Sequence, residues 1–135
     1  MNARSAIQIR EIASDIKTEL DQLTALRTEI ETTQQLSWQQ PNLSQVFTES
    51  LGLKLHNFYT GCDRIFKIIA SELNGGLPSS YNWHQRLLTR MATPQTDRPA
   101  VISQETAKQL KEYLSFRHIV RNIYRVGWAM PTLQN

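Results

Sequence analysis

Five polar residues that could do chemistry on a phosphate lie close together toward the C-terminal end of the chain. They are Arg117, His118, Arg121, Asn122 and Tyr124. A guanidinium keeps its charge and forms paired hydrogen bonds with phosphate oxygens, and an imidazole can take or give a proton near neutral pH. This group of residue types therefore favours a site that binds phosphate and transfers a proton.

The apolar pattern places these residues on a helix predicted over about 103–124, with Ser103 as its N-cap. With about 100° of rotation per residue, Arg117 falls in the middle of the apolar face and Arg121 lies about 40° from it. His118 and Asn122 lie one turn apart on the shoulder of that face. The helix therefore carries two permanent charges where an apolar side chain would be expected.

Arginines on an apolar face need partners, because burying an unpaired guanidinium is costly. One interpretation is structural, with Arg117 paired to a carboxylate of a neighbouring helix such as Asp63 or Glu72. The other is a cleft or subunit interface lined with phosphate-binding and proton-transferring groups. The number of polar groups gathered here favours the cleft, and the sequence leaves both interpretations open.

The elements that must position this helix are also helical. No glycine or proline interrupts residues 3–40, and Pro41 then ends the pattern. Apolar residues recur three or four positions apart along this segment and predict one long helix with a single apolar stripe. The stripe consists of Ile9, Ile12, Ile16, Leu20, Leu23, Leu26 and Ile30.

A second long helix is predicted from about residue 43 to the stop signal Asn74-Gly75-Gly76-Leu77-Pro78. Its apolar face is wide, and Gly52 and Gly61 inside it indicate close helix contacts or a bend. Cys62 falls on the apolar face, which favours a buried inert thiol over a nucleophile.

A short helix is predicted over about 83–91, and a loop over 92–100 precedes the last helix. The chain has no internal repeat and no long alternating strand pattern. The sequence therefore predicts an all-α, up-down bundle of four main helices plus a short helix. We expect one domain over 1–135, with an irregular tail at 125–135.

Composition and charge exclude several classes of protein. A chain of 135 residues with one cysteine has no internal disulfide framework and no zinc site built from several cysteines. No stretch approaches the roughly 20 apolar residues of a membrane span, so we expect a cytoplasmic protein with no membrane partner. The three histidines and the cysteine fit no zinc spacing, and no metal or other cofactor is predicted.

The charge is unevenly distributed along the chain. Residues 1–35 carry 4 basic and 6 acidic side chains, and residues 36–135 carry 11 basic and 6 acidic ones. An acidic first segment followed by a basic remainder suits an anionic partner such as RNA. Arg86, Lys108, Lys111 and Arg125 either extend a basic surface for an RNA backbone or lie on an ordinary solvated face.

The segment Phe116-Arg117-His118-Ile119-Val120-Arg121-Asn122-Ile123-Tyr124 resembles the signature helix of HEPN-domain proteins. It is most similar to the HepT-like toxins of HEPN–MNT toxin–antitoxin pairs. The segments Tyr59-Thr60-Gly61-Cys62-Asp63-Arg64-Ile65-Phe66, Gly75-Gly76-Leu77-Pro78 and Trp83-His84-Gln85-Arg86-Leu87-Leu88 resemble the middle of that subfamily. The resemblance covers about residues 1–124.

This resemblance implies a homodimeric, metal-independent endoribonuclease that acts on RNA, either tRNA or mRNA. Two copies of the signature helix would form one RNA cleft. Arg117 would stabilise the charge that develops on the phosphate, and Arg121 and Arg125 would contact the RNA. The implied partner is an MNT-type nucleotidyltransferase antitoxin, which would silence the toxin by adenylylating Tyr124.

The chain departs from the family pattern at the position of the signature histidine, five residues after Arg117, where it has Asn122. An asparagine can hydrogen-bond but cannot act as a general base at neutral pH. His118 stands one turn earlier and could substitute, yet loss or weakening of catalysis is the favoured outcome. The alternatives are a non-catalytic HEPN module that binds RNA or a nucleotide, and a helical scaffold that binds a nucleotidyltransferase.

Overall fold

Four α-helices make up most of the described chain. The computed structural model describes residues 5–123, with side chains described over 5–116. Within residues 5–123 there is no β-strand, and one isolated β-bridge joins Gln95 and Arg98. The predicted all-α class is confirmed. The helices are α1 (Ala6–Gln39), α2 (Ser44–Leu73), α3 (Trp83–Met91) and α4 (Gln104–Ile123), and a 3-10 turn over Pro41–Leu43 separates α1 from α2.

Contacts divide the chain into two compact units, Met1–Leu77 and Pro78–Asn135. The first contains α1 and α2, and the second contains α3 and α4. The single-domain organisation over 1–135 stays a prediction, and the tail at 125–135 lies outside the described residues.

In the first unit, α1 and α2 form an antiparallel hairpin. Arg64 Nε donates a hydrogen bond to Glu19 Oε2 at 3.2 Å, and Leu23 lies against Gly61. The two members of each pair are nearly equidistant in sequence from the 3-10 turn, which is the pattern that antiparallel helices produce. At about 1.5 Å per residue, each helix of the hairpin extends for roughly 45–50 Å.

The face of α1 that packs is not quite the predicted apolar stripe. Ile9 and Leu20 belong to that stripe, yet they are 52% and 50% exposed. Glu19 is half-buried instead, because its carboxylate accepts the hydrogen bond from Arg64. The half-buried positions of α1 alternate between spacings of three and four, the period of helices that pack at a shallow angle. They are Ile12, Ile16, Glu19, Leu23, Leu26, Ile30, Thr33 and Ser37.

The two glycines inside α2 have different surroundings. A Cβ added at Gly61 would lie 2.6 Å from Cδ2 of Leu23, whereas one added at Gly52 would meet nothing within 4 Å. Of the two predicted alternatives, the close helix contact is confirmed at Gly61 and absent at Gly52, where a bend stays a prediction. Beyond α2, Gly75 and Gly76 have φ angles of +79° and +126°, a region that favours glycine and allows the chain to turn away.

In the second unit, the loop between α3 and α4 is closed by hydrogen bonds to the end of α3. The carbonyl of Met91 accepts from the N–H groups of Val101 and Ile102, at 2.8 and 3.3 Å. The guanidinium of Arg98 donates to the carbonyls of Arg90, Thr93 and Pro99. A cation at the end of a helix also interacts favourably with the helix dipole.

The start of α4 is fixed by the predicted cap. Ser103 Oγ accepts a hydrogen bond from the N–H of Thr106 at 3.0 Å, which is N-cap geometry. Further along, Lys111 Nζ donates to Thr89 Oγ1 at 2.7 Å. These contacts return α4 alongside α3, whose Leu87, Leu88 and Met91 are almost completely buried.

Cys62 is partly buried on α2. Burial, with a smaller contribution from the adjacent Asp63 carboxylate, raises the pKa of the Cys62 thiol to about 11. A neutral thiol is a poor nucleophile, so the structure supports the interpretation of Cys62 as an inert packed residue.

The two α2 glycines form a matched pair for measuring helix contact. Gly52→Ala should stabilise the protein by about 0.5–1 kcal/mol, because alanine favours the helix and the site is open. Gly61→Ala should destabilise it by about 1–2 kcal/mol, because Leu23 must move to admit the methyl group. Urea unfolding of both variants measures the difference, and equal stabilisation by both would contradict the packed hairpin.

The raised pKa of Cys62 predicts a pH dependence. The alkylation rate by iodoacetamide should keep rising to about pH 11 in the folded protein. In the unfolded chain it should level off near the ordinary cysteine pKa of about 8.5. Because the unfolded chain loses the thiol proton first, stability should fall as pH rises from about 8.5 toward 11. A plateau near pH 9 in the folded protein would contradict this prediction.

Candidate functional site

Four of the six predicted site residues lie in the last two turns of α4. These are Arg117, His118, Arg121 and Asn122, whose backbone is helical and whose side chains lie outside the described ones. The predicted helix is thus confirmed through these positions. The remaining two, Tyr124 and Arg125, lie outside the described residues.

The helical backbone fixes how the key positions are related. Five residues along an α-helix correspond to a rise of about 7.5 Å and a rotation of about 140°. Positions 117 and 122 therefore fall on different sides of one α4. Two groups so separated on one helix need a second element if both are to act on a single phosphate.

A polar groove lies between α3 and α4, upstream of these positions. It has a volume of about 420 Å³. Three of its described lining residues are cationic, namely Arg86, Arg90 and Lys111, and none of them is acidic. The others are uncharged polar residues: Asn82, Gln85, Thr89, Thr93 and Gln95.

A second pocket, of about 350 Å³, is lined by residues of α4 that include Lys111. Its described lining includes Lys108, Glu112 and Ser115 of α4. Lys111 lines both pockets, and its ammonium group is held by the hydroxyl of Thr89. Lys111 is therefore shared by the two pockets.

The side of α4 that borders the groove continues toward the predicted catalytic positions. Ser115 follows Lys111 by four residues, and positions 118 and 122 follow at seven and eleven. Such spacings keep residues on one side of a helix. The backbone of α4 thus aligns the groove with the register positions of His118 and Asn122.

Sequence reasoning found part of this groove. Arg86 and Lys111 were expected to belong either to a basic surface or to a solvated face, whereas Arg90 was missed. The available signal was that Arg86 and Arg90 are four residues apart and share a side of the predicted short helix. The position of Lys111 beside them depends on the loop that returns α4, which no local pattern specifies.

The structural interpretation of Arg117 named two carboxylates. Asp63 is 7% exposed, and its Oδ2 forms an ion pair with Lys67 Nζ at 3.1 Å. Glu72 is exposed near the end of α2. Because the side chain of Arg117 is not among those described, its pairing with either carboxylate stays a prediction.

Other candidate groups have ordinary surroundings. Within the described residues, no three His, Cys, Asp or Glu side chains cluster as metal ligands would. The rings of Trp83 and His84 lie against each other, with centroids 3.6 Å apart. None of the described helices combines the length and the apolar character that a membrane span requires.

Comparison with known families assigns the chain. Residues 50–134, more than half of the sequence, match the family model described as HepT-like protein. No curated protein and no solved structure matches the chain. The matched range includes most of α2, all of α3 and α4, and the six predicted site residues. The chain therefore belongs to the HepT-like protein family.

Proposed function

We propose that this protein is the toxin component of a HEPN–MNT toxin–antitoxin system and acts on RNA in the cytoplasm. The observation that carries the proposal is the match to the HepT-like family over a range that includes Arg117, Asn122 and Tyr124. The basic character of residues 36–135, with 11 basic and 6 acidic side chains, supports an RNA ligand.

The proposed reaction is metal-independent cleavage of an RNA phosphodiester by the neighbouring 2′-hydroxyl. The 2′-oxygen attacks the phosphorus, its proton passes to a base, and the 5′-oxygen of the next nucleotide leaves with a proton from an acid. Arg117 stabilises the negative charge that develops on the phosphate oxygens. RNA supplies the nucleophile itself, so the proposed reaction takes place on RNA and not on DNA, which lacks the 2′-hydroxyl.

Two copies of the chain are proposed to complete the cleft. The rotation of about 140° between positions 117 and 122 separates them on a single α4. A second α4, related by a two-fold axis, would allow position 117 of one copy to face position 122 of the other. This arrangement agrees with the homodimer that the family resemblance implies.

Asn122 sets the expected level of activity. Its amide can orient the 2′-hydroxyl or a phosphate oxygen, yet it cannot accept the proton. General acid–base catalysis typically contributes about 10²–10⁴-fold, so the natural chain should cleave slowly. The same observation favours a second candidate function, a non-catalytic module that binds RNA and the nucleotidyltransferase.

Restoring the histidine tests the assignment of position 122. Asn122→His should increase cleavage of labelled RNA in EDTA by about 10²-fold or more, because an imidazole can transfer the proton. Asn122→Gln is the matched control, since it changes the side chain without adding a base. Arg117→Ala in the Asn122→His background should remove the gain.

The outcomes separate the two candidate functions. Equal rates for Asn122→His and the natural chain would contradict the role of position 122. RNA binding without cleavage by every variant would instead favour the non-catalytic module.

The partner enzyme tests the toxin assignment. Expression of the Asn122→His protein should arrest growth, and co-expression of the cognate nucleotidyltransferase should relieve the arrest. When the natural chain is co-expressed with the same nucleotidyltransferase, mass spectrometry should show that AMP has been added to it. The substitution Tyr124→Phe should abolish this addition. Tyr81→Phe is the control, because Tyr81 is fully exposed and should not be the target. Modification that persists in Tyr124→Phe would contradict the proposed target.

A further inference from the structure

We infer that the groove between α3 and α4 is a phosphate-binding site that holds the RNA backbone upstream of the predicted catalytic positions. Its principal cations are Arg86, Arg90 and Lys111. The choice of RNA as the source of phosphate rests on the proposed function. The binding of phosphate itself rests on the groove.

The first argument is charge. Three cations and no carboxylate are found among the eight described residues that line the groove. Arg86 and Arg90 are one helical turn apart on α3, and Lys111 faces them from α4. Positive charge gathered from two elements raises the local potential more than the same cations spread over a surface, and this favours a polyanion.

The second argument is the nature of the partners that hold two of these cations, Lys111 and Arg86. Lys111 Nζ donates to the hydroxyl of Thr89 at 2.7 Å, and Arg86 Nη1 donates to the hydroxyl of Ser80 at 3.4 Å. A neutral hydroxyl positions a cation without neutralising it. On α1, in contrast, Lys17 pairs with the carboxylate of Asp21.

The other pairs of the hairpin show the same contrast. Arg27 pairs with Glu31 within α1, and Arg64 of α2 pairs with Glu19. Four cations of the hairpin, Lys17, Arg27, Arg64 and Lys67, therefore have carboxylate partners within the protein. Lys54 is an exception, because its ammonium group donates to the hydroxyl of Ser50. Arg86 and Lys111 are oriented by hydroxyls and keep their charge for an external anion.

The third argument is what else lines the groove. The uncharged members carry amides and hydroxyls, such as those of Gln85, Thr93 and Gln95. These groups donate hydrogen bonds to phosphate and sugar oxygens. No described lining residue is aromatic or apolar, so the groove offers neither a stacking surface for bases nor the apolar core typical of protein interfaces. It is therefore suited to a sugar–phosphate backbone of any sequence.

The fourth argument is direction. From Lys111, the same side of α4 passes Ser115 and reaches positions 118 and 122. Eleven residues of α-helix span about 16 Å. A single strand bound in the groove can thus continue along α4 to the predicted catalytic end, with the groove as its upstream anchor.

Binding measured without cleavage tests the inference. The probe is a fluorescent single-stranded RNA with methylated 2′-hydroxyls, which cannot undergo attack by its own 2′-oxygen. Fluorescence anisotropy gives the Kd at several salt concentrations between about 50 and 200 mM. The variants are the double substitution Arg86→Gln with Arg90→Gln, and the single substitution Lys111→Gln.

The matched control is Arg10→Gln with Arg27→Gln, which removes two positive charges from exposed positions on α1. The groove double variant should raise Kd by about tenfold or more and reduce the salt slope by about 1.4. Lys111→Gln should reduce that slope by about 0.7, since each phosphate contact on a single strand contributes about that amount. The control should bind as the natural chain does.

Three results would overturn the inference. The groove variants could bind RNA as tightly as the natural chain, or the control could lose affinity equally, which would indicate only net charge. ATP could bind more tightly than the RNA with the same dependence on Arg86 and Arg90, which would make a nucleotide the ligand. Thermal unfolding of each variant shows whether a loss of binding comes from loss of the fold.

The outcomes also separate this inference from the proposed ribonuclease. If Asn122→His cleaves RNA and the groove variants bind and cleave unchanged, the groove inference fails and the ribonuclease stands. If Asn122→His is inactive while the groove variants lose RNA binding, the ribonuclease fails and the phosphate-binding groove stands.

Discussion

The carbonyl of Met91 determines the geometry of the second unit. It accepts hydrogen bonds from two successive N–H groups, those of Val101 and Ile102, and so returns the chain to the end of α3. Arg98 completes the closure by donating hydrogen bonds to the carbonyl of Arg90 near the end of α3 and to the carbonyls of Thr93 and Pro99 in the loop. Ser103 then starts α4 in a fixed register, and the groove and the direction of α4 both follow from this closure.

The two units use their charges differently. In the hairpin, ion pairs lie within one helix or across the two helices, as with Arg27–Glu31 and Arg64–Glu19. Surface pairs of this kind contribute little free energy. In the second unit, hydroxyls hold two of the cations that border the groove, Arg86 and Lys111. None of the described residues that line the groove is acidic.

The sequence predicted the helices well because their signals are local. Pro41 and the Gly75-Gly76 pair end helices through their backbone conformations, and Ser103 caps a helix through one hydrogen bond. The predicted α1 stripe was wrong at Ile9 and Leu20. At Leu20 the packed face depends on a residue of another helix, because the neighbouring Glu19 pairs with Arg64. The groove was only partly predicted for the same reason. Arg90 forms part of a cationic groove only because Lys111, which is remote in sequence, lines the same groove. The loop between α3 and α4 brings the two residues together.

The shallow packing of α1 has a consequence for the order in which the protein opens. No side chain of α1 is fully buried, whereas Leu87, Leu88 and Met91 of α3 are nearly inaccessible to solvent. Separating α1 from α2 therefore exposes little apolar surface per residue. The free energy of local opening is consequently lower for α1 than for α3. In amide hydrogen exchange, α1 would lose its protection first while α3 still retained its own, so α1 is the more labile of these two helices.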